Sequence, residues 1–203
     1  MSLLPFDEAL CQLLAGAQPV SEVESVATAA ALGRVLARAQ TSAIAVPALD
    51  NSSMDGYALR CADVPAAGTC LPVAQRIPAG SVGHTLAPGT AARIFTGAPV
   101  PPGADAIVMQ ELCAHVPGGE LGSVVVNHLP KPGEWIRRAG EDIARGAPVL
   151  AAGTRLTAPR LGLAASIGLA ELPVFRRLRV GLLSTGDELV MPGALAPEAL
   201  PPG

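Results

Sequence analysis

A multidomain α+β fold is what this sequence predicts, on three observations. Helical patterning lies near the N-terminus and again between Pro159 and Gly168. The stretch from Thr41 to about Gly153 is built of short β-type runs, and one continuous apolar strand near residue 180 opens an α/β unit. With 203 residues, half of them hydrophobic, the chain has apolar material for one substantial core or two small ones.

Taken in order, residues 5–16 place Phe6, Leu10, Leu13 and Leu14 at helical spacing, with Asp7 near the start and Gly16 at the stop. Residues 24–39, ESVATAAALGRVLARA, are rich in Ala with recurrent Val and Leu and predict a second helix, broken at Gly33. The middle then alternates runs such as RIFTG, AIVMQ and SVVVNHL with Pro and Gly clusters, which predicts strands joined by stiff turns. PRLGLAASIG starts with Pro159 and ends with Gly168, the asymmetry of a short helix. RVGLLS, an apolar run closed by STGDE, predicts a buried parallel strand whose C-terminal end faces a ligand crevice. A parallel sheet needs several such units, and the last segment is only the Pro-rich MPGALAPEALPPG, so the chain is expected to be a fragment that opens an α/β domain and stops.

Composition excludes several classes of function. Only five residues are aromatic, too few for a base-stacking surface, and a formal net charge of -3 gives no drive toward nucleic acid or an anionic membrane. The N-terminal MSLLPFDEAL carries two acids and a proline and no basic region, so it is not a signal peptide, and no apolar run approaches the roughly 18 residues of a membrane span. A cytoplasmic protein is expected. Cys11, Cys61, Cys70 and Cys113 have no C-x-x-C spacing and make no zinc pattern with His84, His115 and His128, which predicts reduced, mostly buried thiols. Of 14 cations only Lys131 is a lysine; guanidinium forks suit oxyanions, which draws attention to Arg137/Arg138 and Arg176/Arg177.

Four segments have more polar detail than packing requires. In PALDNSSMDGYAL, Asp50-Asn51 and Asp55-Gly56 suit tight turns with positive φ; equally, such a turn could hold Asp55 as an oxygen ligand for Mg²⁺ or a polar contact to a phosphate ester. In RIFTGAPVPPGADAIVMQE, the Thr96 hydroxyl and an unobstructed Gly97 N–H can cradle an oxyanion, although stiff loops also serve structural ends. KPGEWIRRAGEDIARG brings Arg137, Arg138, Glu141 and Asp142 together, either to hold an ion or simply to pair at a surface turn. STGDEL places Asp187 and Glu188 beyond the end of the predicted parallel strand. No G-x-S-x-G, P-loop or G-x-G-x-x-G motif accompanies them.

In order and with similar separations, DNSSMDGYA, IFTGAPVPPGADAIVMQE, IRRAGEDI and RVGLLSTGDELV with its following Pro-Gly resemble the signature stretches of the MoeA family, which includes the C-terminal part of gephyrin. Ser53, Phe95 and Ala139 depart from the usual pattern without removing a charged position. The resemblance implies a helical and sheet domain from residues 1–43 and 154–175, an inserted β-rich domain over 44–153, and from 176 the incomplete start of a MogA-like α/β domain. It implies molybdate insertion into adenylylated molybdopterin with release of AMP, dependent on Mg²⁺ or another divalent cation, in a cytoplasmic homodimer that contacts other molybdenum cofactor biosynthesis proteins. By the same resemblance Asp55, Thr96, Asp142 and Glu188 are catalytic, Arg137, Gly97 and Asp187 bind substrate, and Asp55 and Glu188 handle the metal. The alternative is a non-catalytic dimerisation or binding module on the same scaffold. The chemistry accounts for the residue types, since hard carboxylate oxygens suit Mg²⁺ and guanidinium or N–H donors suit oxyanions.

Overall fold

The computed structural model describes residues 4–186 and residue 189. In chain order its elements are the helix α1 (Phe6–Ala15) and the strands β1 (Val23–Ala27), β2 (Gln40–Thr41), β3 (Asn51–Ser52), β4 (Gly56–Leu59), β5 (Thr69–Ile77), β6 (Ala91–Ile94) and β7 (Ala106–Met109). After these come β8 (Cys113–Val116), β9 (Ser123–Val126), β10 (Ile136–Arg137), β11 (Pro148–Leu150), the helix α2 (Ala158–Ser166) and β12 (Glu171–Phe175). The fold is α+β, with far more strand than helix.

The predicted first helix forms as α1, with Asp7 and Glu8 in the first turn where free N–H groups favour negative charge, and with Gly16 at its end. None of its residues is buried, and Phe6, Leu13 and Leu14 are well exposed. The helix predicted over 24–39 does not form. Instead β1 pairs antiparallel with β12, from Val23 opposite Phe175 to Ala27 opposite Glu171, and a short 3-10 turn follows. The advantage of alanine in a helix is only tenths of a kcal/mol per residue, and burying Leu36, Leu172 and Val174 in one cluster outweighs it. Gly33, at φ 77°, turns the chain at the position where the expected helix was to break.

The β-rich middle is a six-stranded sheet in the order β7-β4-β6-β5-β9-β8, antiparallel throughout except for the parallel β5–β6 pair. All four residues of β4 are buried because both faces of the sheet are covered there. Tyr57 and Leu59 enter one apolar cluster with Val108 and Val124, while Ala58 enters the other with Ile94 and Ile107. Gly56 is not the turn glycine that the Asp-Gly pair predicted. It lies in β4 against β7, where an added Cβ would fall 2.0 Å from the Val108 carbonyl oxygen. Asp50-Asn51 takes no positive φ either. The need met by Gly56 is close approach between strands.

A third cluster, around Leu36, Leu156, Ala164, Leu172 and Val174, lies under α2. That helix forms as predicted, with Pro159 at its start and Gly168 at φ 83° just after its end. The strand predicted at RVGLLS does not form: residues 176–186 are without secondary structure, and Leu182 and Leu183 are 94% and 89% exposed. A buried parallel strand exists only between sheet neighbours, and no described segment pairs with this one. The cysteines also differ from expectation. All four are free thiols, but Cys11 and Cys70 are exposed. The half-buried pair are held protonated, Cys61 pushed up to about 12 by burial and by Asp105, and Cys113 to about 11 by burial.

Candidate active site

The centre of the candidate site is β3, a two-residue strand hydrogen-bonded along both edges. On one edge Gly97 N–H donates to the Ser52 carbonyl at 2.8 Å, and Ser52 N–H donates to the Ala98 carbonyl at 2.9 Å. On the other, Ile136 and Arg137 of β10 face Ser52 and Asn51. Trp135 makes this possible. Its φ of 55° is the only positive value at a described non-glycine residue, and its carbonyl accepts from both the N–H and the hydroxyl of Ser53, at 3.0 and 2.9 Å. The segments that carry Asp55, Thr96 and Arg137 are therefore tied to one short strand.

Asp55 lies just beyond the end of β3. One of its oxygens, Oδ1, accepts two hydrogen bonds from Thr96, from the backbone N–H and from the hydroxyl, both at 2.8 Å. These bonds, with the Arg93 charge nearby, hold the Asp55 carboxyl below the usual carboxylate range. The carboxylate is thus ionised and fixed, with Oδ2 left to solvent or a ligand. Thr96 directs its donors at Asp55, and the Gly97 N–H, expected to be open for an oxyanion, is taken by Ser52. Gly97 has another use: at φ 81° it closes the turn in which Ala98 N–H donates to the Phe95 carbonyl at 2.9 Å.

Arg137 donates from Nη2 to Asp142 Oδ1 at 2.6 Å, and its Nε lies 3.6 Å from Glu141 Oε1. The Asp142 contact raises the arginine's pKa further. Arg138 pairs elsewhere, from Nη1 to Asp50 Oδ2 at 2.6 Å, while Ala139 N–H donates to Asp50 Oδ1 at 2.8 Å. The acids and arginines of this segment thus pair with one another and with Asp50. The Asp55–Thr96 pair and the Arg137–Asp142 pair stand on opposite edges of β3, and no hydrogen bond joins them among the described residues. Asp187 and Glu188 lie outside the described residues.

Two neighbours of the candidate residues went unread in the sequence. Asp50 looked like a turn residue, yet it accepts from the Arg138 side chain and the Ala139 backbone N–H, nearly ninety positions away. Arg93 fastens the strand behind Asp55, donating to the Gly56 carbonyl at 2.8 Å and to Gln110 Oε1 at 2.6 Å, while Gln110 N–H donates to the Asp55 carbonyl at 3.0 Å. Its position two residues before Phe95, in a run of otherwise apolar residues, was the available signal.

The fold is α+β, and its candidate residues are gathered on segments tied to one short strand; comparison identifies the family to which this arrangement belongs. The profile of the MoeA N-terminal region (domain I and II) matches residues 4–168, and the chain belongs to this family. It is 49% identical over 168 residues to molybdopterin molybdenumtransferase 2 of Mycobacterium tuberculosis, covering 80% of this chain and 40% of the relative. It is 42% identical over 192 residues to the molybdopterin molybdenumtransferase of Haemophilus influenzae, covering 94% and 46%. The crystal structure of the molybdopterin biosynthesis MoeA protein of Pyrococcus horikoshii is similar with a TM-score of 0.79 at 33% identity, over 93% of this chain and 50% of that one. The chain thus spans less than half the length of the two enzymes from Mycobacterium and Haemophilus.

Proposed function

We propose that this chain supplies part of the active site of a molybdopterin molybdenumtransferase, which inserts molybdate into adenylylated molybdopterin and releases AMP. The names of its relatives support molybdenum transfer involving molybdopterin, the coarser part of this reading. The observation that carries the reading to residues is the Asp55 carboxylate, ionised and fixed by the two Thr96 donors, with the Arg137–Asp142 pair on the other edge of the same short strand. A phosphoanhydride and a molybdate dianion need prepositioned charge more than a nucleophile. Arg137, with donors beyond those given to Asp142 and Glu141, binds an anionic substrate, and Asp142 orients that guanidinium. Thr96 holds Asp55. Gly97, its N–H taken by Ser52, would serve substrate only by shaping the turn that carries Thr96. Asp187 and Glu188 complete the set from outside the described residues.

Mg²⁺ or another divalent cation would supply charge neutralisation at the phosphates. Among the described residues no three His, Cys, Asp or Glu side chains stand close enough together to hold a metal ion. Asp55 offers one hard oxygen, and Glu188 is the proposed second ligand, an arrangement open to Mg²⁺ only with water and substrate oxygens completing it.

The proposed domain division, 1–43 with 154–175 and an inserted 44–153, is supported by the separate apolar clusters, except that Leu150 of the inserted stretch packs in the first unit's cluster. From 176 the chain would open the MogA-like domain. A cytoplasmic homodimer that meets other molybdenum cofactor biosynthesis proteins is part of the same proposal; no described helix is long and apolar enough to cross a membrane. The uncovered apolar side of α1 favours, as a second reading, a dimerisation or binding module without catalysis.

The deciding assay is molybdate-dependent AMP release from adenylylated molybdopterin by the longest product of this gene, with Mg²⁺. Turnover that falls at least about a hundredfold in Asp55→Asn is the expected outcome. Equal turnover in the variant removes Asp55 from the mechanism, and dimerisation without turnover in the wild type favours the second reading.

A further inference from the structure

On the six-stranded sheet a cleft of about 480 Å³ opens between Tyr57, Val73, Arg76, Arg93, His115 and the glycine-rich loop 117–122. Arg76 and Arg93 are register partners on the parallel pair β5 and β6. Their guanidinium carbons stand 4.6 and 4.5 Å from the centroid of one ring, that of Phe95, and Arg93 is also 5.2 Å from the ring of Tyr57. Among the described residues neither arginine forms an ion pair, and the side chain and carbonyls that Arg93 meets are neutral. Two cations are therefore held against one aromatic ring, neither in a salt bridge, and the Asp55 carboxylate acts on Arg93 only through its field. Stacking fixes the guanidinium planes and leaves donor edges for an anion.

Tyr57 adds a donor. The residue is only 7% exposed, it lines the cleft, and its hydroxyl has no hydrogen-bond partner among the described residues. A phenol in that position keeps its O–H for water or a ligand in the cleft. His115 borders the same space with its ring packed at Gly122, where an added Cβ would lie 2.8 Å from the His115 Cε1. Glu120 is the one carboxylate on the rim among the described residues.

We propose that this cleft is a binding site for a phosphate-type oxyanion, held by Arg76, Arg93 and the Tyr57 hydroxyl, with Glu120 as a competing anion at its mouth. A phosphate dianion matches two guanidinium forks and a neutral donor. The cleft is larger than a phosphate ion, and Tyr57, Val73 and Leu121 give it an apolar wall for an organic body. The cleft shares Arg93 with the surroundings of Asp55, but its proposed ligand set does not include that carboxylate, and it stands whether or not the chain releases AMP.

The test is an NMR titration of the 203-residue chain with inorganic phosphate and with phenyl phosphate, following the Arg76 and Arg93 Nε–H and the His115 ring signals. Saturable shifts are expected, weakened about tenfold or more by Arg76→Gln, which removes one charge-assisted contact. Glu120→Gln is expected to tighten binding, an effect that a merely structural pair of arginines would not produce. Tighter binding of phenyl phosphate identifies a phosphomonoester as the ligand class, and equal binding identifies the free anion; either supports the site. Absence of saturable shifts at these three residues, or equal affinity in Arg76→Gln with unchanged core methyl signals, overturns it.

Discussion

Thr96 directs two donors at a single oxygen of Asp55, and the pair explains why a threonine belongs there. Valine keeps the shape and the backbone N–H but loses the hydroxyl. In Thr96→Val the Asp55 pKa should therefore rise toward the ordinary carboxylate value while staying below it, read from the carboxyl ¹³C shift against pH. An unchanged titration would show that the backbone donor alone sets it. At this scale the sequence was informative about which residues matter and less so about what they touch. Asp55, Thr96, Arg137 and Asp142 lay in segments conspicuous by residue type and were singled out there by the family resemblance, and the structure draws them into two pairs. That Thr96 faces Asp55, and that Asp50 faces Arg138, depends on contacts 41 and 88 positions apart, which no local pattern encodes.

Among the elements, α2 was readable because its start and stop residues act locally: proline fixes φ at the first turn, and Gly168 accepts a positive φ after the last. β1 was not, because its setting in an alanine-rich stretch favours helix in isolation and only β12, far along the chain, makes it a strand. The six-stranded sheet lies between these cases. Its short apolar runs were visible, but the parallel β5–β6 pair and the bulge between Val73 and Gln75 arise from packing on both faces. Burial also separates helices from strands in their weight for stability. Leu172→Ala, in the fully buried β12 position, should cost about 3 kcal/mol, whereas Leu13→Ala on exposed α1 should change stability by less than about 0.5 kcal/mol. Urea unfolding of the two variants distinguishes them, and a large loss in Leu13→Ala would mean that α1 is covered in solution.

For the molecule as a whole, the depressed carboxyls set the acid limit of stability. Asp50 is held below its usual range by the Ala139 N–H and Arg138, and Asp63 by Arg60 and then the Gly89 N–H. A carboxyl with a lower pKa in the folded chain binds fewer protons there than in the unfolded chain, so acid favours unfolding. Stability should be level above about pH 5 and fall as the pH drops through the folded pKa values of these groups, with a shallower fall in Asp50→Asn. Urea midpoints from pH 7 to 3 measure this, and an identical acid limb in the variant would assign the effect to other carboxyls. The chain's division into a sheet lobe and a helix-capped lobe has a further consequence through the β1–β12 ladder, beside which Thr28 bonds the Leu169 carbonyl 141 residues away. On the ribosome, the whole sheet lobe emerges before β12 is made. At ordinary elongation speeds β1 waits on the order of 10 s for its partner strand. The nascent chain should thus complete its six-stranded sheet first, leaving the Val23–Leu36 stretch as a chaperone client until β12 arrives.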